Sequence, residues 1–124
     1  MSALQQLRRT PPLLILLVVL TALAGCNRQP IEQGLYYYGH EVNVVCPCGS
    51  TDCYWLRGEQ PLLSQLRLYV QKQTSEPYQP VFLEYRGQRL AEPGTGYAAN
   101  YEGYLELREI LSVSVDLPAD CQTP

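Results

Sequence analysis

Pro61-Leu62-Leu63-Ser64-Gln65-Leu66-Arg67-Leu68-Tyr69-Val70 decides the fold, because it is the single helical pattern downstream of Cys26. Leu62, Leu63, Leu66, Tyr69 and Val70 follow one another at steps of one, three, three and one, which makes an apolar stripe over two turns. Pro61 suits the first turn, where its missing N–H would have had no partner inside the helix. Thr74 to Pro80 carries Pro77 and Pro80 and ends the pattern. A one-sided stripe has to cover a core, so the flanking segments must supply one.

Upstream, three strands are expected. Gly34 to Tyr38 is dense in aromatics, Gly39-His40 makes a turn, and Glu41 to Cys46 alternates with Val42, Val44 and Cys46 on one face, so the two pair as a hairpin. Pro47 to Thr51 interrupts the pattern. Cys53 to Arg57 then forms a short third strand, with Tyr54 and Leu56 on one side and Trp55 on the other. Downstream, Val81, Leu83 and Tyr85 alternate as a fourth strand that stops before an Arg86-Gly87 turn. Gln88 to Asn100 reads as a long loop with Tyr97 and Tyr101 at its distal end. A last strand starts near Gly103, and its apolar face changes between Leu107 and Ile110, which predicts a bulge there. Three strands, a helix and two strands is the order of the OB barrel. The fold expected is therefore mainly β, a small five-stranded OB-like Greek-key barrel with one helix between strands 3 and 4. An open sheet with a helix on one face is the competing arrangement.

The N-terminus has a different character. Arg8 and Arg9 are followed by an unbroken apolar run, Leu13 to Leu20, and by small residues up to Gly25. Leu23-Ala24-Gly25-Cys26 resembles the bacterial lipobox, in which the cysteine thiol is diacylated and the signal is cut before it. Leu13 to Ala24 is well short of the roughly 20 residues that span a bilayer. The expected division is a lipoprotein signal peptide over 1–25, an acylated Cys26 with a short tether over 26–33, and one OB-like domain over 34–124. Asn27 is not the aspartate that favours inner-membrane retention in enteric bacteria, so the expected address is the outer membrane, facing the periplasm. A tether of roughly seven residues reaches at most about 25 Å.

Charge narrows the partners. The chain carries 12 acidic residues against 9 basic ones. Loss of Arg8 and Arg9 with the signal takes the net charge from −3 to about −5. That argues against nucleic acid as a ligand. Ten tyrosines, one tryptophan and one phenylalanine form an aromatic set that suits a small, partly wet barrel.

Gly34-Leu35-Tyr36-Tyr37-Tyr38, the cysteine-bearing second strand, the Leu-rich helix, Pro80-Val81-Phe82-Leu83-Glu84 and a cysteine near the C-terminus together resemble the C-terminal OB domain of the NlpE lipoprotein family. The resemblance covers Gly34 to Cys121. It implies a disulfide from the second-strand region to the C-terminal end, for which Cys48 and Cys121 fit best and Cys46 competes with Cys48. The family's N-terminal calycin-like domain with its Cys-x-x-Cys pair has no counterpart in the sequence. Copper tolerance and envelope-stress sensing, with which the family is associated, are therefore carried over only in part, as to a stand-alone version of one half.

Cys46-Pro47-Cys48-Gly49-Ser50-Thr51-Asp52-Cys53 places three sulfurs within eight residues, and Cys121 is a fourth. Two readings compete. In an oxidising compartment an even number of thiols ends as disulfides, one closing the Cys46 to Cys53 loop and one tying Cys48 to Cys121, with all three connectivities still open. Alternatively Cys46, Cys48, Cys53 and Cys121 handle copper or zinc, which accept soft sulfur ligands. The spacing departs from paired Cys-x-x-Cys knuckles, so disulfides lead, with no cofactor.

No catalytic set stands out. His40 is the sole histidine and falls in a turn, without a recognisable nucleophile partner. Glu84, Glu106 and Glu109 read as a solvated strand face. Tyr36, Tyr37, Tyr38, Tyr54 and Trp55 are candidates for a stacking platform or for core. The expected function is non-enzymatic: a lipid-anchored module that contacts a protein partner in the cell envelope.

Overall fold

The computed structural model describes residues 28–123; the segment expected to be a signal peptide and the expected acylation site Cys26 lie outside them. The described residues form a closed five-stranded barrel with a single α-helix among them. Its elements run β1 (Glu32–Gly39), β2 (Val42–Pro47), β3 (Tyr54–Gly58), α1 (Gln60–Gln73), β4 (Val81–Leu90), a short 3-10 turn (Gly96–Asn100) and β5 (Tyr104–Ser114). Around the ring the order is β1-β2-β3-β5-β4, and β4 returns to β1. All pairings are antiparallel except β3 with β5. This is the OB-like Greek-key order with the helix between strands 3 and 4, and the open-sheet alternative is set aside by closure.

Helix α1 lies where the apolar stripe requires. Leu63, Leu66 and Val70 are buried, and Leu62 and Tyr69 pack at the margin of the same core. The helix begins at Gln60, one residue before Pro61, and stops at Thr74, whose hydroxyl and backbone N–H both donate to the Val70 carbonyl. Tyr36, Val45, Leu56, Val81, Leu83, Tyr85, Leu105 and Leu107 point into the barrel and meet the helix there.

In β2 Val42, Val44 and Cys46 share one face as expected; it is the outer one, and the inward residues are Asn43 and Val45. Two details downstream differ from the sequence expectation. Strand β4 does not stop at Arg86-Gly87. It runs on to Leu90 beside β5, because Gly87 faces the interior where a Cβ would stand 2.9 Å from the Glu106 carbonyl oxygen. Glycine here permits close strand approach instead of a turn. The expected loop is therefore shifted instead of shortened: it runs through Ala91–Thr95, the 3-10 turn and the three residues before β5.

The bulge expected between Leu107 and Ile110 is present: Gly87 pairs with Leu107 and Arg86 with Glu109, leaving Arg108 unmatched. A second irregularity leaves Leu111 unmatched between Ser112 and Ile110. Strand β1 begins at Glu32, and the carbonyl of Gln29 accepts a 2.6 Å hydrogen bond from Arg86. Among the described residues no helix is long and apolar enough to cross a membrane.

Candidate functional site

The four cysteines of the domain are paired, Cys46 with Cys53 and Cys48 with Cys121. The first bond closes the loop between β2 and β3. The second fastens the C-terminal segment to the end of β2 and draws Leu117 and Cys121 over the outer face of the barrel. There they cover Leu35 and Phe82, which are apolar residues on the outside of β1 and β4. The metal reading needs free thiolates, and all four sulfurs are covalently bonded to each other. Among the described residues no group of three His, Cys, Asp or Glu side chains is placed to hold a metal ion.

Beside this covered patch lies an apolar cleft of about 440 Å³. Its base is Leu35 and Val44, both buried, and its walls include Tyr37, Val42, both disulfides and the rings of Tyr78 and Tyr101. Burial pushes the Tyr37 hydroxyl above its ordinary pKa, as an apolar wall does to a group that becomes charged on losing its proton. Tyr78 holds the far end. It adopts a left-handed φ of 59°, its ring lies against Gly39 where any Cβ would collide with it, and its hydroxyl donates to the His40 carbonyl at 3.0 Å. A non-glycine residue in that region costs about 1 kcal/mol or more, and such cost clusters where a side chain must be aimed.

A second, more polar cleft of about 730 Å³ opens between β2 and β3. These strands share only two pairs, Val44 with Trp55 and Val45 with Tyr54, although both run on past them. Where the ladder stops, the Asn43 side chain bridges the gap. Its Oδ1 accepts from the Tyr36 hydroxyl at 2.6 Å and its Nδ2 donates to the Leu56 carbonyl at 3.2 Å. Tyr38, Trp55, Arg57, Gln60, Arg67, Tyr97 and Glu106 surround the opening. Arg57 sits 4.2 Å above the Tyr104 ring and pairs with Glu92 and Glu106, whose charges raise its pKa. Tyr97, 55% exposed, donates to Glu41 at 2.9 Å and so links the loop before β5 to the β1–β2 turn.

The candidate residues separate accordingly. Tyr36, inside the barrel, stacks with Tyr38 at the second cleft, with centroids 6.3 Å apart, and Tyr54 packs on the same core beneath Arg89. Tyr37 lines the first cleft, and Trp55 faces the second and tilts against Tyr101, which lines the first. The five rings therefore make no common platform. His40 has its side chain 88% exposed, with Glu41 as its only ionic neighbour among the described residues. Glu84 accepts from Ser112 and Gln33, Glu106 pairs with Arg57, and Glu109 with Arg86, so these acids brace the barrel surface.

Sequence reasoning missed Asn43, Tyr78 and Arg67. A lone asparagine inside an alternating strand was the one legible signal for the first, since a polar residue amid Val and Tyr needs partners if it is buried. Compared with known proteins, the chain matches no family model, no curated protein and no solved structure.

Proposed function

We propose that this chain is a lipid-anchored periplasmic lipoprotein that works by contact, docking a protein partner of the cell envelope in the apolar cleft between Tyr37, Tyr78 and Tyr101. The observation that carries the reading is the cleft itself. It is an outward-facing apolar recess on a barrel whose interior is already filled, braced by two disulfides instead of being closed over. The lipobox supplies the anchor at Cys26 and the address at the inner leaflet of the outer membrane. The resemblance to the NlpE C-terminal domain supports an envelope-contact role. The function is non-enzymatic in this reading, since the lone histidine stands exposed at a turn and the four domain cysteines are bonded.

Orientation agrees with such a role. Residues leading from the anchor reach the barrel at the start of β1, pinned by Arg86 to Gln29. At about 3.3 Å per residue, β1 carries the His40–Glu41 turn and Tyr78 roughly 23 Å from that point.

The test is site-specific photocrosslinking in intact cells with benzoylphenylalanine at Tyr78, run beside palmitate labelling. A discrete cross-linked product that disappears with Val42→Asp is expected, together with label that is lost in Cys26→Ser. A diffuse smear, or a product indifferent to Val42→Asp, rejects docking in the cleft. Unlabelled wild-type protein rejects the anchor.

A further inference from the structure

The second cleft contains a cation with no acid beside it. Arg67 projects from α1 with its guanidinium carbon 5.5 Å from the centre of the Tyr38 ring, and its Nε is buried without a hydrogen-bond partner. No carboxylate among the described residues comes within ion-pair distance of it. The acids that line the same cleft are engaged elsewhere, Glu41 by the Tyr97 hydroxyl and Glu106 by Arg57. In a chain of net negative charge a partly buried guanidinium that has the neutral Tyr36 hydroxyl beside it but no carboxylate costs desolvation unless something brings an anion to it. The aromatic face beneath it orients the planar fork, which suits two-point recognition of a carboxylate.

The backbone around it favours an extended chain as the bearer of that anion. The β2–β3 ladder ends at Val44 and Trp55, yet the strands continue to Val42 on one side and Gly58 on the other. Val42, Asn43, Leu56, Arg57 and Gly58 line the cleft at this opening. A peptide entering there meets the strand ends beyond the Asn43 bridge and Arg67 at its acidic group, with Trp55 and Tyr97 for its side chains.

We propose that the cleft between β2, β3 and α1 is a second binding site, for an extended peptide segment held through a carboxylate by Arg67. The site is separate from the apolar cleft. Loss of partner cross-linking with carboxylate binding intact would reject the docking reading and leave this one standing.

Trp55, the sole tryptophan, lines the site, so its fluorescence reports occupancy of the whole purified protein. The probes are acetyl-Ala-Val-Ala as free acid, the same peptide as C-terminal amide, acetyl-Ala-Val-Glu-Val-Ala amide, and inorganic phosphate. At least one carboxylate peptide should saturate the signal, with the tripeptide amide at least tenfold weaker. Preference for the free acid assigns a chain terminus, and preference for the glutamate peptide assigns an acidic side chain. Arg67→Gln should reduce carboxylate binding at least tenfold, to the level of the amide, and Arg67→Lys should recover part of it.

A fold-neutral check is Gln60→Glu, at the rim of the cleft in the first turn of α1, where an acid favours the helix. It should weaken the carboxylate peptide several-fold without lowering the thermal midpoint. Equal binding of acid and amide, no saturation up to about 10 mM, or phosphate binding as tightly as the peptides would each overturn the proposal.

Discussion

The hydroxyl of Tyr36 donates to Oδ1 of Asn43 at 2.6 Å, joining β1 to β2 inside the barrel at the place where β2 parts from β3. At the other end of the interior the Tyr85 hydroxyl is equally buried and has no hydrogen-bond partner. Two buried tyrosines thus stand in opposite circumstances. Tyr36→Phe should cost about 1–2 kcal/mol, since it leaves a buried asparagine oxygen without its donor. Tyr85→Phe should be neutral, or stabilise by up to about 1 kcal/mol, because it removes an unsatisfied hydroxyl. Urea denaturation of both variants beside the wild type measures the difference. Equal losses would show that the Asn43 bridge carries no particular weight.

Alkali should unfold the domain through the same two rings. Burial is the main cause that raises the pKa of both Tyr36 and Tyr85 above the ordinary tyrosine value near 10, and Glu32 adds to it at Tyr85. Between the unfolded and folded values the unfolded chain has released protons that the folded chain keeps, so stability is whole below about pH 10 and falls as pH rises above it. Each tyrosine contributes a slope of at most about 1.4 kcal/mol per pH unit. Brief denaturation series from pH 8 to 11 should show the decline, and Tyr85→Phe should make it shallower. A profile flat to pH 11 would contradict the burial of both groups.

Removal of the Cys48–Cys121 bond by paired serine substitution should cost about 4 kcal/mol, because it closes a loop of 73 residues, and removal of Cys46–Cys53 about 2 kcal/mol. The larger loss has a local accompaniment. Without its covalent tie the segment from Leu117 to Cys121 can leave Leu35 and Phe82, whose amides should then exchange hydrogen faster. If the two double variants prove equally stable, loop length does not govern their effects.

Gly87→Ala should destabilise by about 1–3 kcal/mol, because the new Cβ would meet the Glu106 carbonyl oxygen and neither strand can yield without breaking its ladder. A thermal midpoint unchanged from wild type would mean that β4 and β5 lie less close than described.

That glycine also shows what a sequence reading can and cannot reach. The helix was legible because Leu63, Leu66 and Val70 are apolar while Ser64, Gln65 and Arg67 are not, and contrast of that kind reports a face. The strand order followed from the same contrasts, and so did the bulge at Arg108. The inward face of β2 was not legible, because both of its faces are largely apolar: Val45 fills the interior, while Val42, Val44 and Cys46 form the wall of a cleft. An alternation fixes which residues share a side, and only a partner surface decides which side is inner. Arg86-Gly87 has the composition of a turn, and nothing local distinguishes it from a glycine that makes room for a neighbouring strand. The four cysteines could be named as the staple of the domain, and the favoured pairing, Cys46 with Cys53 and Cys48 with Cys121, is the one that forms, although the choice among three connectivities depended on how the C-terminal segment returns to β2. Arg67 was invisible as a site residue, since its isolation from acids is a property of the folded surroundings alone.

The bond between Cys48 and Cys121 has a consequence in time. Cys121 follows β5, and its partner lies 73 positions earlier, at the end of β2. The chain is made from its N-terminus, so β1 and β2 can meet as a hairpin long before the segment that lids Leu35 and Phe82 has emerged. The wall that Cys121 adds to the apolar cleft is therefore added late. Until it arrives the barrel keeps an unlidded flank and the Cys48 thiol waits for its partner, so the cleft takes its shape only when β2 and the segment after β5 have met.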